Sequence, residues 1–235
     1  MKDGQTAEGA GLTSEIARRR KAALSEGAAG YQERRQEIIE AAGRVFKRKG
    51  YRATNLTDIA TEAGTDRATL YYYISGKAEL FDEVVSEVVE ANAVVAESVR
   101  ESTQSAPEKL RAVIGALMAS YADNFPYLYV FVQENLSHVA PERVEWSKRM
   151  RQLNRRYEEA LIAILRDGIE EGTLIPAGDP QIMAYGLLGM LGWTNRWFNP
   201  HESPQSAEEI AATFTEIFLR GVEVKGRRRP AKRDL

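Results

Sequence analysis

The sequence predicts an all-α protein, and three observations lead to this fold class. Apolar residues recur at the three- and four-residue spacing of helices along most of the 235 residues. Prolines, glycines and Asn, Asp or Ser residues punctuate this pattern where helices would begin and end. No segment alternates apolar and polar residues for long enough to form a strand. A chain of this length can bury a sizeable core, as one domain or as a small and a larger one.

The first full helix is predicted from about residue 31 to residue 49. Its buried stripe consists of Ile38, Ala42, Val45 and Phe46, and Gly50 ends it. Ahead of this helix, residues 1–12 show no periodicity and predict a disordered arm. Residues 13–25 could form a short extra helix that carries four basic side chains, namely Arg18, Arg19, Arg20 and Lys21.

Two short helices joined by a tight turn are predicted between residues 55 and 77. The apolar stripe of the first has the spacing i, i+3, i+4, i+7 and consists of Leu56, Ile59, Ala60 and Ala63. Asn55 can cap its start together with Asp58, as a variant of the capping box. Gly64 suits the left-handed turn that follows, and Asp66 can cap the second helix, which runs from 67 to about 74.

The second short helix has an outer face suited to nucleic acid. Leu70, Tyr73 and Ile74 share one face, which would pack on the first helix. The other face carries small, hydroxyl-bearing and cationic groups, namely Arg67, Ala68, Thr69, Tyr71 and Tyr72. Base edges, thymine methyls and phosphate oxygens require such groups. Periodicity alone leaves open a helical hairpin that only packs, with tyrosines facing solvent by accident.

Helix signals continue to the end of the chain. Further helices are predicted at about 76–102, 107–121, 126–136, 141–171, 180–199 and 206–221. Residues 182–198 are apolar almost all round, which for a soluble helix indicates burial on both sides. Gly186, Gly189 and Gly192 form a flat strip there that lets another backbone approach closely.

Composition limits the classes of function. The net charge is −2, but residues 31–77 hold nine Lys/Arg against six Asp/Glu, so a modestly basic region joins an acidic body. There is no cysteine, which excludes disulfides and thiolate chemistry. His138 and His201 lack the spacing of a metal or catalytic site. Without a signal-peptide pattern or a membrane-length apolar segment, we expect a cytoplasmic protein with no membrane partner.

Residues 34–81 resemble the DNA-binding domain of the TetR family of bacterial transcriptional regulators. The segments IIEAAGRVFKRKGYRATNLTDIATEAG and TLYYYISGKAELF carry the resemblance. Two departures are mild: Ile74 stands where the family usually has Phe, and Gly76 where Ser is common. The resemblance implies a three-helix helix-turn-helix domain. Its implied DNA contacts are Arg67, Thr69, Tyr71 and Tyr72 in the major groove, and Thr54, Thr57 and Lys77 at flanking phosphates.

The resemblance also implies a domain plan. It gives an arm at 1–30, a DNA-binding domain at 31–78, a helical effector-binding and dimerisation domain at 79–224, and a basic tail at 225–235. The last two large helices would pair with their copies as a four-helix homodimer interface; a buried helix of a monomeric core is the alternative. Whether the arm and tail contact DNA stays open, since both could be ordinary charged tails.

The resemblance further implies a small-molecule pocket among the central helices. Its candidate lining consists of Leu117, Tyr121, Phe125, Tyr129, Phe131, Trp146, Tyr157, Met183, Tyr185 and Trp193. Each of these could instead be plain core, because aromatic residues at helical spacing commonly fill cores.

The function expected from the resemblance is a ligand-responsive repressor that binds a palindromic double-stranded operator as a homodimer. The segments GWTNRWFNP and SAEEIAATFTEIFLRG are similar to those of actinobacterial members that control lipid or sterol catabolism, some of which respond to acyl-CoA thioesters. A small hydrophobic effector would release the DNA. No cofactor, catalytic residue or metal is expected. The alternatives are a constitutive repressor without an effector and an all-α enzyme.

Overall fold

The computed structural model describes residues 29–133 and 136–222. Within these ranges it consists of nine α-helices and two short 3₁₀ helices, with no strand, which confirms the all-α fold. The helices are α1 (Ala29–Ala53), α2 (Leu56–Glu62), α3 (Arg67–Tyr73), α4 (Lys77–Glu101), α5 (Ala106–Asp123), α6 (Tyr127–Val132), α7 (Val144–Glu170), α8 (Pro180–Gly192) and α9 (Ala207–Val222). The predicted arm helix at 13–25 and the basic tail at 225–235 lie outside the described residues.

The chain forms two compact units. The first contains residues up to Val88 together with 124–134, and the second contains 89–123 and the remainder. Helix α4 therefore begins in the first unit and ends in the second, and α6 packs with α1 in the first. The units follow packing, so the functional limits 31–78 and 79–224 stay predictions.

An apolar stripe and an aromatic cluster build the core of the first unit. The predicted stripe of α1, from Ile38 to Phe46, is fully buried. The Phe46 ring lies 5.7 Å from that of Tyr51, 6.0 Å from that of Phe81 and 6.4 Å from that of Tyr127. Rings at these separations add edge-to-face attraction to their burial. The cluster joins the end of α1 to α4 and α6.

A partly buried ion pair holds the start of α4. Arg35 of α1 donates to Glu83 at 2.6 Å and to Glu79 at 3.1 Å. Glu79 also accepts from the backbone N–H of Ser75 at 2.7 Å, which caps the helix. Removal of one partner would leave a partly buried charge unpaired, so the contact helps to fix how α4 starts.

The second unit packs α5 against α7, α8 and α9. Two of its helix ends agree with the predicted limits at 171 and 180. Gly172, with φ +72°, follows α7, and Asp179 caps α8 through the Gln181 N–H at 2.8 Å. Two ion pairs join α4 to α7: Arg149 with Glu90 at 2.9 Å and Arg156 with Glu97 at 2.6 Å. Both partners advance by two helical turns between the pairs, so α4 and α7 run in the same direction.

The predicted continuation of α8 to residue 199 is wrong. The α-helix ends at Gly192, and a 3₁₀ turn covers Trp193–Arg196. The Thr194 hydroxyl donates to the Leu191 carbonyl at 2.6 Å, and the Asn195 side chain donates to the Gly192 carbonyl. These side chains compete with the backbone N–H groups that would continue the α-helix.

Among the described residues, every helix is too short or too polar to span a bilayer.

Candidate nucleic-acid interface

Helices α2 and α3 have the capped geometry that the sequence predicts. The Asn55 side chain accepts from the Asp58 N–H at 2.9 Å, and the Asp58 carboxylate accepts from the Asn55 N–H at 3.0 Å. Gly64 takes a φ of +62°, which an L side chain rarely adopts. Asp66 then accepts from the Thr69 N–H at 2.7 Å. Each cap contributes about 1 kcal/mol to a helix that is otherwise too short to be stable.

The outer face of α3 is open to solvent. Leu70 is fully buried, whereas Arg67, Thr69 and Tyr72 are exposed and Tyr71 is half-buried. The Arg67 guanidinium donates to the Tyr71 hydroxyl at 3.1 Å and lies 5.6 Å from the centre of its ring. The face therefore offers a guanidinium fork, a phenol and a small hydroxyl, which can donate to base edges or phosphates.

The Tyr31 side chain packs against α3 and supports it. Sequence reasoning did not identify this residue. Its ring is 5.6 Å from that of Tyr72 and 5.0 Å from that of Tyr73. Its hydroxyl lies 3.5 Å from the carbonyl oxygens of both residues. Arg34 similarly donates to the Ala63 carbonyl at 2.9 Å, at the end of α2. The partners are 29 or more residues apart, so no local pattern reveals these contacts.

Thr54 and Lys77 are two of the three residues predicted to contact phosphates. Both lie at a joint between helices, where the end of α1 meets the starts of α2 and α4. Thr54 is 2% exposed, and its hydroxyl donates to the Gly50 carbonyl at 2.7 Å. This differs from the prediction, because a buried, committed hydroxyl is not offered to a phosphate. The Lys77 ammonium donates to the carbonyls of Tyr51 at 2.9 Å and Thr54 at 2.8 Å, and lies 4.6 Å from the Tyr51 ring centre. Thr57, in contrast, is exposed.

Acidic residues of α2 neutralise much of the basic charge on α1. Glu62 binds Arg44 and Arg48, each at 2.8 Å, and Asp58 binds Lys49 at 2.6 Å. The hydrogen bond from Lys49 lowers the pKa of Asp58, and the hydrogen bonds from Arg44 and Arg48 lower that of Glu62. Three of the nine basic side chains counted in this segment are therefore paired with carboxylates of α2.

The candidate effector residues divide between the two units. Leu117, Tyr121 and Met183 are buried in the second unit, whereas Phe125, Tyr129 and Phe131 belong to the first. Trp146 is half-buried beneath the Arg143 guanidinium, 4.2 Å from its ring centre. Tyr185 and Trp193 are exposed, so they do not line an interior pocket as predicted.

Leu117 and Tyr157 line a small cavity between α4, α5 and α7. Its volume is about 10 Å³, room for one water molecule, and Asn92, Val95, Ala96, Val113 and Ala116 complete its wall. Within the described ranges the buried Tyr157 hydroxyl has no hydrogen-bond partner, and burial raises its pKa.

A larger groove of about 450 Å³ lies between α5 and α9, lined by Arg111, Gly115, Ala119, Glu208, Ala211, Ala212, Thr215 and Glu216. Sequence reasoning did not identify this groove.

Among the described residues, large apolar side chains of α8, α9 and the 3₁₀ turn after α8 are exposed; we call them the uncovered face of α8 and α9. Ile182 is 70% exposed, Trp193 62% and Ile217 56%. A Cβ added at Gly186 or Gly189 would meet no atom of the described ranges within 4 Å. The opposite side of α8, with Met183, Ala184, Leu187 and Leu191, is buried. The all-round apolar character of α8 thus corresponds to burial on one side within a single chain.

Among the described residues, no three His, Cys, Asp or Glu side chains are grouped as a metal site would require.

Comparison with known proteins matches both parts of the chain to described families. Residues 38–84 match bacterial regulatory proteins of the tetR family, and residues 103–222 match the tetracyclin repressor-like C-terminal domain. The HTH-type transcriptional repressor KstR2 of Mycobacterium tuberculosis is 25% identical over 194 residues, which cover 82% of this chain and 94% of that protein.

Two solved structures illustrate the range of similarity. The regulator PfmR of Thermus thermophilus is 32% identical, with a TM-score of 0.66 over 78% of this chain and 97% of that one. FadR of Bacillus subtilis, solved in complex with stearoyl-CoA, is 22% identical, with a TM-score of 0.63 over 79% of this chain and 98% of that one. At that identity, the likeness to FadR concerns the fold alone.

Proposed function

Because the chain belongs to the TetR family of bacterial transcriptional regulators, we propose that it is a ligand-responsive repressor that binds a palindromic operator as a homodimer. The observation that carries this proposal is the outer face of α3. A short helix capped at Asp66 and supported by Tyr31 exposes Arg67, Thr69 and Tyr72. A supported helix with exposed donors is what major-groove reading requires.

The proposed reading divides base contacts from phosphate contacts. Arg67 and Tyr72 read base edges with Thr69, each good contact contributing about 1–3 kcal/mol of discrimination. Tyr71 donates to a phosphate. Its hydroxyl oxygen accepts from Arg67, which leaves the phenolic O–H available as a donor. Thr57 and Lys77 hold the flanking backbone. Two of the three ammonium N–H groups of Lys77 are committed to carbonyls, which leaves one for a phosphate.

The uncovered face of α8 and α9 supports a homodimer. Large apolar side chains exposed beside a strip of glycines would be costly on a monomer, and a second copy of the same face would cover them. Dimerisation also suits the DNA, because one recognition helix reads few base pairs. Two helices spaced about one helical turn apart read a palindrome.

We propose a small hydrophobic effector, with acyl-CoA thioesters and other lipid-like molecules as the class to test first. The support is the cavity that Tyr157 lines and the stearoyl-CoA bound by FadR, which shares the fold. A cavity of about 10 Å³ admits no such ligand until α4, α5 and α7 separate. A ligand that binds only the opened arrangement would favour it. Since α4 continues into the first unit, its displacement would change the spacing of the two reading helices and release DNA.

A protection footprint tests the DNA-binding proposal. Purified protein on the region upstream of its own gene should protect a palindrome, and Arg67→Ala should abolish protection without unfolding the protein. Failure to bind any such fragment at low ionic strength would refute the proposal.

A constitutive repressor is the second candidate, and the small size of the cavity favours it. Thermal shift against acyl-CoAs, sterols and other lipids separates the two. A true effector at one hundred times its Kd stabilises the folded state by about 2.7 kcal/mol. For a protein of this size this would raise Tm by roughly 5–10 °C. The same compound should then abolish the footprint. Stabilisation with turnover of the compound would indicate an enzyme instead.

A further inference from the structure

The basic residues of the reading unit are almost all committed to partners inside it. Between residues 31 and 77, seven of the nine contact a carboxylate, a backbone carbonyl or a tyrosine hydroxyl; these are Arg34, Arg35, Arg44, Arg48, Lys49, Arg67 and Lys77. Lys47 and Arg52 remain. Both are exposed, and within residues 29–133 and 136–222 neither forms an ion pair or a hydrogen bond through its side chain. Any further cation offered to DNA by this segment is one of these two.

Arg52 lies at the joint where α1 ends and α2 and α4 begin. It follows the break at Gly50, where φ is +75° and ψ is 159°. The carbonyls of its neighbours Tyr51 and Thr54 both accept from the Lys77 ammonium. One residue beyond Thr54, Asn55 caps α2. The backbone of Arg52 therefore lies close to the first turn of α2.

The backbone that carries Arg52 is held on both sides. Lys77 ties the two carbonyls together, the buried Thr54 hydroxyl binds Gly50, and the Asn55 capping box closes the start of α2. Because the backbone is already fixed, only the Arg52 side chain has to be ordered when it meets an anion. The planar fork of arginine also suits bidentate binding to phosphate oxygens.

Lys47 has the same charge and exposure but a different position. Gly43 precedes it by one helical turn on the same side of α1, and a Cβ at Gly43 would lie 3.6 Å from Val84 of α4. Arg44 and Arg48, in contrast, reach α2 through Glu62. Lys47 thus projects beside α4, away from the start of α2.

We infer that Arg52 binds a DNA backbone phosphate beside the base-reading face of α3. The inference rests on the proposed DNA-binding function and adds a contact that neither the sequence pattern nor the family resemblance implied. Arg52 contributes affinity and orientation, whereas base preference stays with the exposed side chains of α3.

The salt dependence of operator binding tests this role. Each neutralised phosphate contributes about 0.9 to the slope of log K against log salt. The proposed dimer carries two copies, so Arg52→Gln should reduce the magnitude of the slope by roughly 1.8. Lys47→Gln removes the same charge and should leave the slope unchanged. Arg52→Lys should restore it, and none of the three should change the ranking of operator variants.

Several outcomes would overturn the inference. A wild-type slope in Arg52→Gln would exclude the contact, and an equal reduction in Lys47→Gln would assign the effect to net charge. A changed ranking of operator variants would make Arg52 a base reader. Far-UV circular dichroism and unfolding midpoints check that each variant is folded. If the wild-type protein binds no DNA, both the proposed function and the inference are refuted. If the wild-type protein binds normally and Arg52→Gln leaves the slope of log K against log salt unchanged, only the inference is refuted.

Discussion

Replacement of Gly168 by alanine tests how closely α7 packs in the second unit. A Cβ at this position would lie 2.5 Å from the Cβ of Ala106 and 2.7 Å from Cδ1 of Leu174. The Ala106 Cβ moves only with its backbone, so α5 and α7 would have to shift. Leu174 cannot easily yield, because it is buried and its N–H donates to the Gly168 carbonyl at 2.9 Å. The close approach of the two helices therefore requires glycine.

Two effects of the substitution oppose each other. Overpacking of this kind costs about 1–3 kcal/mol, whereas alanine in a helix gains about 1 kcal/mol over glycine. The expected result for Gly168→Ala is a loss of up to about 2 kcal/mol. Gly115→Ala is the matched control, since Gly115 lies within α5 and its added Cβ would meet nothing within 4 Å. The propensity gain is common to both, so the difference between the variants isolates the steric cost.

Urea unfolding followed by far-UV circular dichroism measures both variants at one protein concentration. With an m-value of about 2 kcal/mol/M, a loss of about 2 kcal/mol lowers the midpoint by roughly 1 M. Gly115→Ala should raise the midpoint slightly. If Gly168→Ala raised it by as much as Gly115→Ala, the helices would have room that the structure does not show, and the reasoning would be refuted.

Three further predictions concern assembly, DNA and pH. Gly189→Glu should convert dimers to folded monomers, because it places a charge on the glycine strip that a second copy would cover. Light scattering measures the molar mass, and an unchanged mass would contradict this prediction. Tyr72→Ala should change base preference in a binding-site selection. Lys77→Ala should weaken binding to all sequences and lower the magnitude of the salt slope by roughly one for each of the two copies in the dimer. Uniform loss in both variants would contradict the division of roles. Because the pKa values of Asp58 and Glu62 are lowered on folding from ordinary values of 3.8 and 4.5, their ion pairs stabilise the protein above those values. The urea midpoint should fall as the pH drops through the lowered values. Asp58→Asn with Glu62→Gln should weaken that dependence, and an equally steep loss in the double variant would contradict the assignment.

Short-range features could be predicted because both partners lie within a few residues of each other. Asn55 with Asp58 forms the predicted capping box. Ser206 with Glu209 forms a second one where the last helix was predicted to begin, at about residue 206. Gly64 has the left-handed backbone that its place after α2 predicts. These contacts arise from side chains meeting nearby backbone groups, so residue type and spacing are sufficient to identify them.

The placement of candidate site residues was less predictable. Tyr157 and Leu117 do share a cavity, but Tyr185 and Trp193 lie on the uncovered face of α8 and the 3₁₀ turn after it. An aromatic residue at helical spacing has the same pattern whether it faces a cavity, a core or another subunit. Which of these it meets depends on how whole helices pack.

The amino-acid sequence by itself determined the all-α fold, most helix limits, the family, and the face of α3 that turns outward. Only the tertiary structure decided that Thr54 and Lys77 lie in a joint, that Tyr31 supports α3, and that Arg52 remains unpaired within the described residues. The physical reason is the distance along the chain. Periodicity and caps act over three or four residues. The contacts of Lys77 with Tyr51 and Thr54, and of Tyr31 with Tyr72, join residues 23 or more apart, so they depend on how whole helices pack.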